Sequence, residues 1–203
     1  MKKRVVGCIL ALCLLLPPLS TMTLAQWSES FEAFHDRMLQ TYDIEIVNGR
    51  DTAVTQQEQM RLEEAFKFWG ADILRTISAN ARYWNPTGTP AVIVLTPRET
   101  DTLCGKMVES TVYIYGTMWN QGTVIHELTH MIHALWFELG APTSIKETEA
   151  RLAQCNDGRA YGSPWTKSDE QYFTCTYGKT NFRDDMATIM QFLYDDKQLV
   201  ERI

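Results

Sequence analysis

Three of the four histidines in this chain fall within one short stretch, Thr123-Val-Ile-His126-Glu127-Leu-Thr-His130-Met-Ile-His133. The run reads as helix, and on a helix residues i and i+4 share one face, a turn apart. His126 and His130 can therefore aim two imidazoles at one metal ion. Glu127 lies beside that face, within reach of a water activated by the ion. Two nitrogen ligands and a general base in five residues is the His-Glu-x-x-His arrangement of zinc hydrolases. The expected cofactor is one Zn²⁺ ion.

A catalytic zinc takes three protein ligands and leaves a fourth position open. His133 lies three residues past His130, one turn too far along to share the ion easily, and is expected to pack or to support a ligand. The longer pattern His-x-x-Gly-x-x-His is absent, because position 133 is His and position 136 is Trp. An acidic ligand must then come from downstream, and two places compete. Lys146-Glu147-Thr-Glu149-Ala150 lies 19 residues past His130, counted to Glu149. Its Glu-Ala pair resembles the third-ligand helix of thermolysin-like enzymes. The other is Thr176-Tyr177-Gly178-Lys179-Thr180-Asn181-Phe182-Arg183-Asp184-Asp185-Met186-Ala187.

This second segment closely resembles the zincin-type metallopeptidases of the anthrax-toxin lethal-factor-like family. There a Tyr-Gly-x-Thr-Asn loop leads into a helix that opens on a glutamate ligand, with Ala three residues later. Tyr177, Gly178, Thr180, Asn181 and Ala187 match, and Asp184 falls on the ligand position. The resemblance covers roughly residues 120–194. It implies a peptidase in which Zn²⁺ is held by His126, His130 and Asp184. Glu127 would serve as general base, and Tyr177 would polarise the scissile carbonyl or assist the leaving group. Two positions depart from the family: the ligand is Asp rather than Glu, and Thr188 replaces a second acidic residue that supports a ligand histidine. A zinc-holding protein that binds a partner without turnover is therefore the alternative expectation.

Elements must place these residues. Trp27 to Leu39 has helical spacing, Tyr42 to Val47 alternates into the turn at Asn48-Gly49, and Thr55 to Ile77 reads as the longest helix. Ala91 to Leu95 and Ser110 to Tyr115 read as strands. The second stands just before the histidine helix and is a candidate edge strand for pairing with an extended peptide. The histidine helix is expected from about Asn120 to Gly140, with Ile125, Leu128, Ile132, Leu135 and Leu139 as its buried stripe. A polar helix follows over Lys146 to Gln154, then a loop to about Lys167, and a last helix from Phe182 to Leu199. Helices and strands mix without βαβ regularity. The expected fold class is α+β, a zincin-like domain with a small mixed sheet, an edge strand beside the histidine helix and a C-terminal ligand helix.

The N-terminus, Met1-Lys-Lys-Arg4 followed by an apolar run into Pro17-Pro18 and then Thr23-Leu-Ala25, reads as a signal peptide over residues 1–25. The domain would then occupy residues 26–203, secreted or periplasmic and free of the membrane after cleavage. Loss of Lys2, Lys3 and Arg4 leaves 16 basic against 25 acidic residues, a net charge of −9. Such a chain is a poor ligand for nucleic acid. The expected partner is a protein or peptide substrate, and the chain is expected to act as a monomer. Of the three cysteines past the signal segment, Cys155 and Cys175 are the expected disulfide, with Cys104 left over.

Overall fold

The computed structural model describes residues 29–97, 104–117, 119–138, 147, 150–151, 154–157 and 159–195. The expected signal segment and Glu149 lie outside the described residues. Among those described, no helix is long and apolar enough to cross a membrane.

Helix α1 (Phe31–Tyr42) opens on Ser30, whose hydroxyl accepts from the Ala33 N–H, and buries Phe34, Met38 and Tyr42 at four-residue spacing. It stops at Asp43, where φ is 60°, and strand β1 (Ile44–Asn48) follows at once. Thr55 and Glu58 form a reciprocal capping box that starts α2 (Gln56–Trp69). The sequence suggests one helix through to Ile77. The chain instead bends at Gly70, φ 80°, and restarts as α3 (Ala71–Trp84). Only a residue without Cβ takes that conformation at low cost. The bend lets α2 and α3 each bury a separate face, Leu62 and Phe66 from one, Leu74 and Ile77 from the other.

Strands β2 (Ala91–Thr96), β3 (Gly105–Val108) and β4 (Thr111–Tyr115) complete a four-stranded sheet in the order β1-β2-β4-β3. β1 and β2 are parallel, β2 and β4 are parallel, and β3 and β4 form an antiparallel hairpin. The fold is therefore α+β, with a small mixed sheet and five α-helices among the described residues.

One sequence expectation is corrected here. The segment up to Tyr115 is interior, hydrogen-bonded on both sides, and β3 is the edge strand. β3 pairs Gly105 with Ile114 and Val108 with Thr111, closing on the two residues Glu109 and Ser110, with Glu109 at φ 55°. The usual Asn-Gly or Asp-Gly hairpin signal is missing, so nothing in the local composition announces this turn.

Helix α4 (Gln121–Ile132) carries the histidines. Asn120 caps it by accepting from the Thr123 N–H at 2.9 Å, and Arg61 on α2 donates to the Trp119 carbonyl at 2.8 Å. Val124, Ile125, Leu128 and Met131 are wholly buried, so α4 runs through the core. Beyond Ile132 the coil widens into a π-helical segment, His133–Glu138, rather than continuing as α-helix. Glu147, Ala150, Arg151, Gln154 and Cys155 are helical, as the polar-helix reading expects. Helix α5 (Phe182–Asp195) packs across α4. The three cysteines among the described residues are free thiols: Cys104 and Cys155 are exposed and Cys175 is half-buried, so the expected Cys155–Cys175 disulfide is not formed.

Candidate functional site

The i, i+4 spacing on α4 does what helix geometry requires. His126 Nε2 and His130 Nε2 stand 3.2 Å apart, with ring centroids at 4.9 Å and planes at 79°. His126 is buried and His130 is partly so. Burial, and for His126 the neighbouring imidazole of His130, lower both rings to about 4. His133 and Arg183 add to the effect on His130. Both rings are thus neutral at pH 7, the state in which imidazole binds a metal.

The acid comes from the first turn of α5. Asp184 Oδ1 lies 3.6 Å from His130 Nε2. Asn181 holds this carboxylate from both ends of its own amide: Nδ2 donates to Asp184 Oδ2 at 2.7 Å, and Oδ1 accepts from the Asp184 N–H at 3.0 Å. The helix cap and the orientation of the carboxylate are one device. Glu149, the competing acid, lies outside the described residues.

Around a tetrahedral zinc with bonds of about 2.0–2.1 Å, ligand atoms stand roughly 3.3 Å apart. The separations of 3.2 Å and 3.6 Å bracket that figure. Among the described residues, no three His, Cys, Asp or Glu side chains form a closed ligand cluster as they stand. The donor set, two neutral imidazoles and a carboxylate, suits zinc.

Glu127 sits on the neighbouring face of α4, buried. Its burial and the Asp184 carboxylate raise its carboxyl to about 8. Its wall is Gly105, the first residue of β3. A Cβ at position 105 would meet Glu127 Cγ at 2.6 Å and Oε1 at 2.7 Å, so only glycine lets the edge strand come this close. Sequence reasoning missed Gly105 because it missed β3.

Tyr177 stands half exposed, its ring 5.6 Å from that of His126. Burial, and then the nearby Asp184 carboxylate, push its hydroxyl up to about 12. The phenol therefore keeps its proton at any physiological pH and remains a donor. The loop behind it is anchored from below. Lys179, buried, donates to Asp169 Oδ2 at 2.8 Å and to the Pro164 carbonyl at 2.9 Å. Thr166 and Arg159 also donate to Asp169, whose carboxyl is held well below the ordinary range by the Lys179 ammonium. Gly178 fits against Thr174 and Asp185, whose Oγ1 and Oδ1 would lie 3.0 and 3.2 Å from an added Cβ. A buried polar frame thus carries an exposed tyrosine.

Thr188 does not support a histidine. Its hydroxyl donates to the Asp184 carbonyl one turn earlier. The buried Nδ1 of His126 has no hydrogen-bond partner among the described residues. The two helices approach closely at Gly122, where a Cβ would meet Asp195 Oδ2 at 2.9 Å and Gln191 Cγ at 3.1 Å.

His126, Glu127, His130, Tyr177 and Asp184 are therefore gathered at one locus from α4, the Tyr177 loop and α5. A cleft of about 290 Å³ opens beside it, bounded by β3 on one side and by Tyr177 and Arg183 on the other. No family model, curated protein or solved structure matches the chain.

Proposed function

We propose that this chain is a secreted or periplasmic zinc-dependent endopeptidase with a zincin-like fold, akin to the lethal-factor-like metallopeptidases. The observation that carries the reading is the 3.2 Å pair of imidazole nitrogens with a carboxylate oxygen 3.6 Å away and a buried glutamate alongside. His126, His130 and Asp184 would hold the ion. When bound, zinc supplies Lewis-acid polarisation of a carbonyl and activation of water near neutral pH.

The chain's own residues supply the rest. Among the described residues β3 is an edge of the sheet beside α4, so an extended peptide can add to it through main-chain hydrogen bonds and lay its scissile bond over the histidines. Glu127 takes the proton of the attacking water and passes it to the leaving amine. Tyr177 donates its phenolic hydrogen to the oxygen that gains charge in the transition state. The lysine–aspartate frame under residue 179 keeps that hydroxyl in position without filling the cleft.

A binding protein without turnover is the second reading. It is favoured by one observation: Thr188 turns to the Asp184 carbonyl, and the buried Nδ1 of His126 has no partner among the described residues where a carboxylate would raise ligand basicity. Hydrolysis of an unfolded protein, lost on chelation and restored by Zn²⁺, separates the two. Chelator-insensitive cleavage, or none from zinc-loaded protein, would count against the peptidase.

Loading the ion has a proton signature. Metal-free Glu127, at about 8, is mostly protonated at pH 7, and a dication nearby drives it to the carboxylate. The two histidines, at about 4, have no proton to lose there. Zinc binding at pH 7 should release close to one proton, and release should fade as pH rises past 8. Calorimetric titration in two buffers of different ionisation enthalpy reads this directly. The linkage on stability has opposite signs. Between pH 4 and 6.5 the unfolded chain binds more protons at the histidines, so they make the metal-free protein more stable as pH rises. Glu127 makes it less stable over about 4.5 to 8.

A further inference from the structure

Asp185 is a buried acid that the proposed chemistry does not use. It follows Asp184 in the first turn of α5 and has no exposed surface. Its Oδ2 accepts from Asn156 Nδ2 at 3.2 Å and from Tyr161 Oη at 2.9 Å, two neutral donors. Its Oδ1 is buried with no hydrogen-bond partner among the described residues. That oxygen lies against Gly178, the residue after Tyr177, 3.2 Å from where a Cβ would stand. An apolar side chain of similar size would fill the same space without the cost of burying a carboxylate. The acid nevertheless joins three segments. Its N–H donates to the Asn181 carbonyl at 3.0 Å, in the turn that carries Asp184. Its Oδ2 fastens the stretch from Asn156 to Tyr161, where Tyr161 packs on Phe173 with ring centroids 5.6 Å apart and the Gly162 N–H donates to the Lys179 carbonyl at 2.9 Å. Its Oδ1 limits how near the Tyr177 loop can come to α5.

We infer that Asp185 is a positioning residue for Tyr177: its carboxylate, fastened by Asn156 and Tyr161, sets Gly178 against α5 and so fixes where the phenol stands beside His126 and Asp184. The Lys179–Asp169 pair anchors the same loop from below, and Asp185 sets its distance from the ligand helix. A carboxylate does this better than an apolar group, because its two bonded donors hold one rotamer and leave the other oxygen aimed at the loop. A displacement of about 1 Å at a reacting group can cost about 10²-fold in rate, so the distance matters to the chemistry. The inference rests on the peptidase reading for one point only, that the Tyr177 hydroxyl takes part in turnover.

A double-mutant cycle on the zinc-loaded full chain tests it. Asp185→Ala should lower kcat about tenfold, within what one oxyanion donor contributes, with KM and zinc content unchanged. Asp185→Asn keeps the size and an acceptor for Asn156 and Tyr161, and should restore most of the rate. In a Tyr177→Phe background the same Asp185→Ala change should cost no more than about twofold, because the hydroxyl it places is gone. Equal losses in both backgrounds, or zinc lost from Asp185→Ala, would mean that Asp185 acts on the fold or on Asp184, and would overturn the inference. A second readout needs no turnover. The Lys179 and Thr180 amides are bonded within the loop, to the Cys175 carbonyl at 3.4 Å and the Tyr177 carbonyl at 2.9 Å. Their hydrogen exchange should run about tenfold faster in Asp185→Ala, while Leu128 and Thr129 in the middle of α4 keep their rates. No change in the loop, or the same acceleration in α4, overturns the inference even if the chain cleaves nothing. Faster loop exchange in a chain without hydrolysis supports the placement of the loop and counts against the peptidase reading alone.

Discussion

Glu127→Gln is expected to lower kcat by about 10²–10⁴-fold while zinc content stays at its wild-type level. The exchange keeps size and shape, which matters because Glu127 Cγ lies 2.6 Å from where a Cβ on Gly105 would be and no larger side chain fits. It removes the one property the reading requires, a group that can accept a proton from water and return it to the leaving amine. Glu127 is absent from the proposed ligand set, so the ion should be held as before. The thermal midpoint of the metal-free protein should rise slightly above pH 8, because the variant has no buried carboxylate to desolvate there. Hydrolysis at the wild-type rate would remove Glu127 from the mechanism.

Tyr177→Phe carries the next largest effect. The ring is half exposed and rests on His126, and Phe keeps that contact. Only the hydroxyl is lost, and with it the donor to the developing oxyanion. Removal of one such donor costs about 10²–10³ in rate. The loss should fall on kcat with KM nearly unchanged, because the charge it meets exists only in the transition state. Zinc content should not change. A wild-type kcat would make Tyr177 a surface aromatic and nothing more. Loss of zinc would mean that its hydroxyl, close to Asp184, is structural for the ligand set.

How far the sequence could be read depended on whether a residue's role is local. The His126/His130 pair follows from helix period alone, and the structure puts the two nitrogens 3.2 Å apart with no help from distant sequence. The Tyr177–Asp184 segment stands out by its resemblance to the lethal-factor-like family rather than by period, with Glu149 as the competing acid, and the structure shows Asn181 binding Asp184 three residues on. What escaped was set by contact across the fold. Gly105 matters only because Glu127 comes to lie against it from 22 residues away, and no periodicity encodes that. β3 is a four-residue strand with a glutamate, not a glycine, at the strained position of its turn. Ser110–Tyr115 was read as an edge because alternation marks a half-buried strand and says nothing of neighbours. The break at Gly70 was hidden by continuous helical spacing on both sides. Lys179 and Asp169 are polar partners on different elements, and such pairs leave no pattern in one sequence.

The central claim is that His126, His130 and Asp184 hold one zinc ion, and metal content tests it most directly. The full chain is stripped with chelator, dialysed against Zn²⁺ and assayed by atomic absorption, beside His126→Ala and Asp184→Ala. The account predicts about one zinc per wild-type chain and almost none in either variant, with a melting temperature that rises on loading only in the wild type. Zinc retained at wild-type affinity by Asp184→Ala would contradict it and move the third ligand elsewhere, Glu149 first. A wild-type chain that takes up no zinc would contradict it outright.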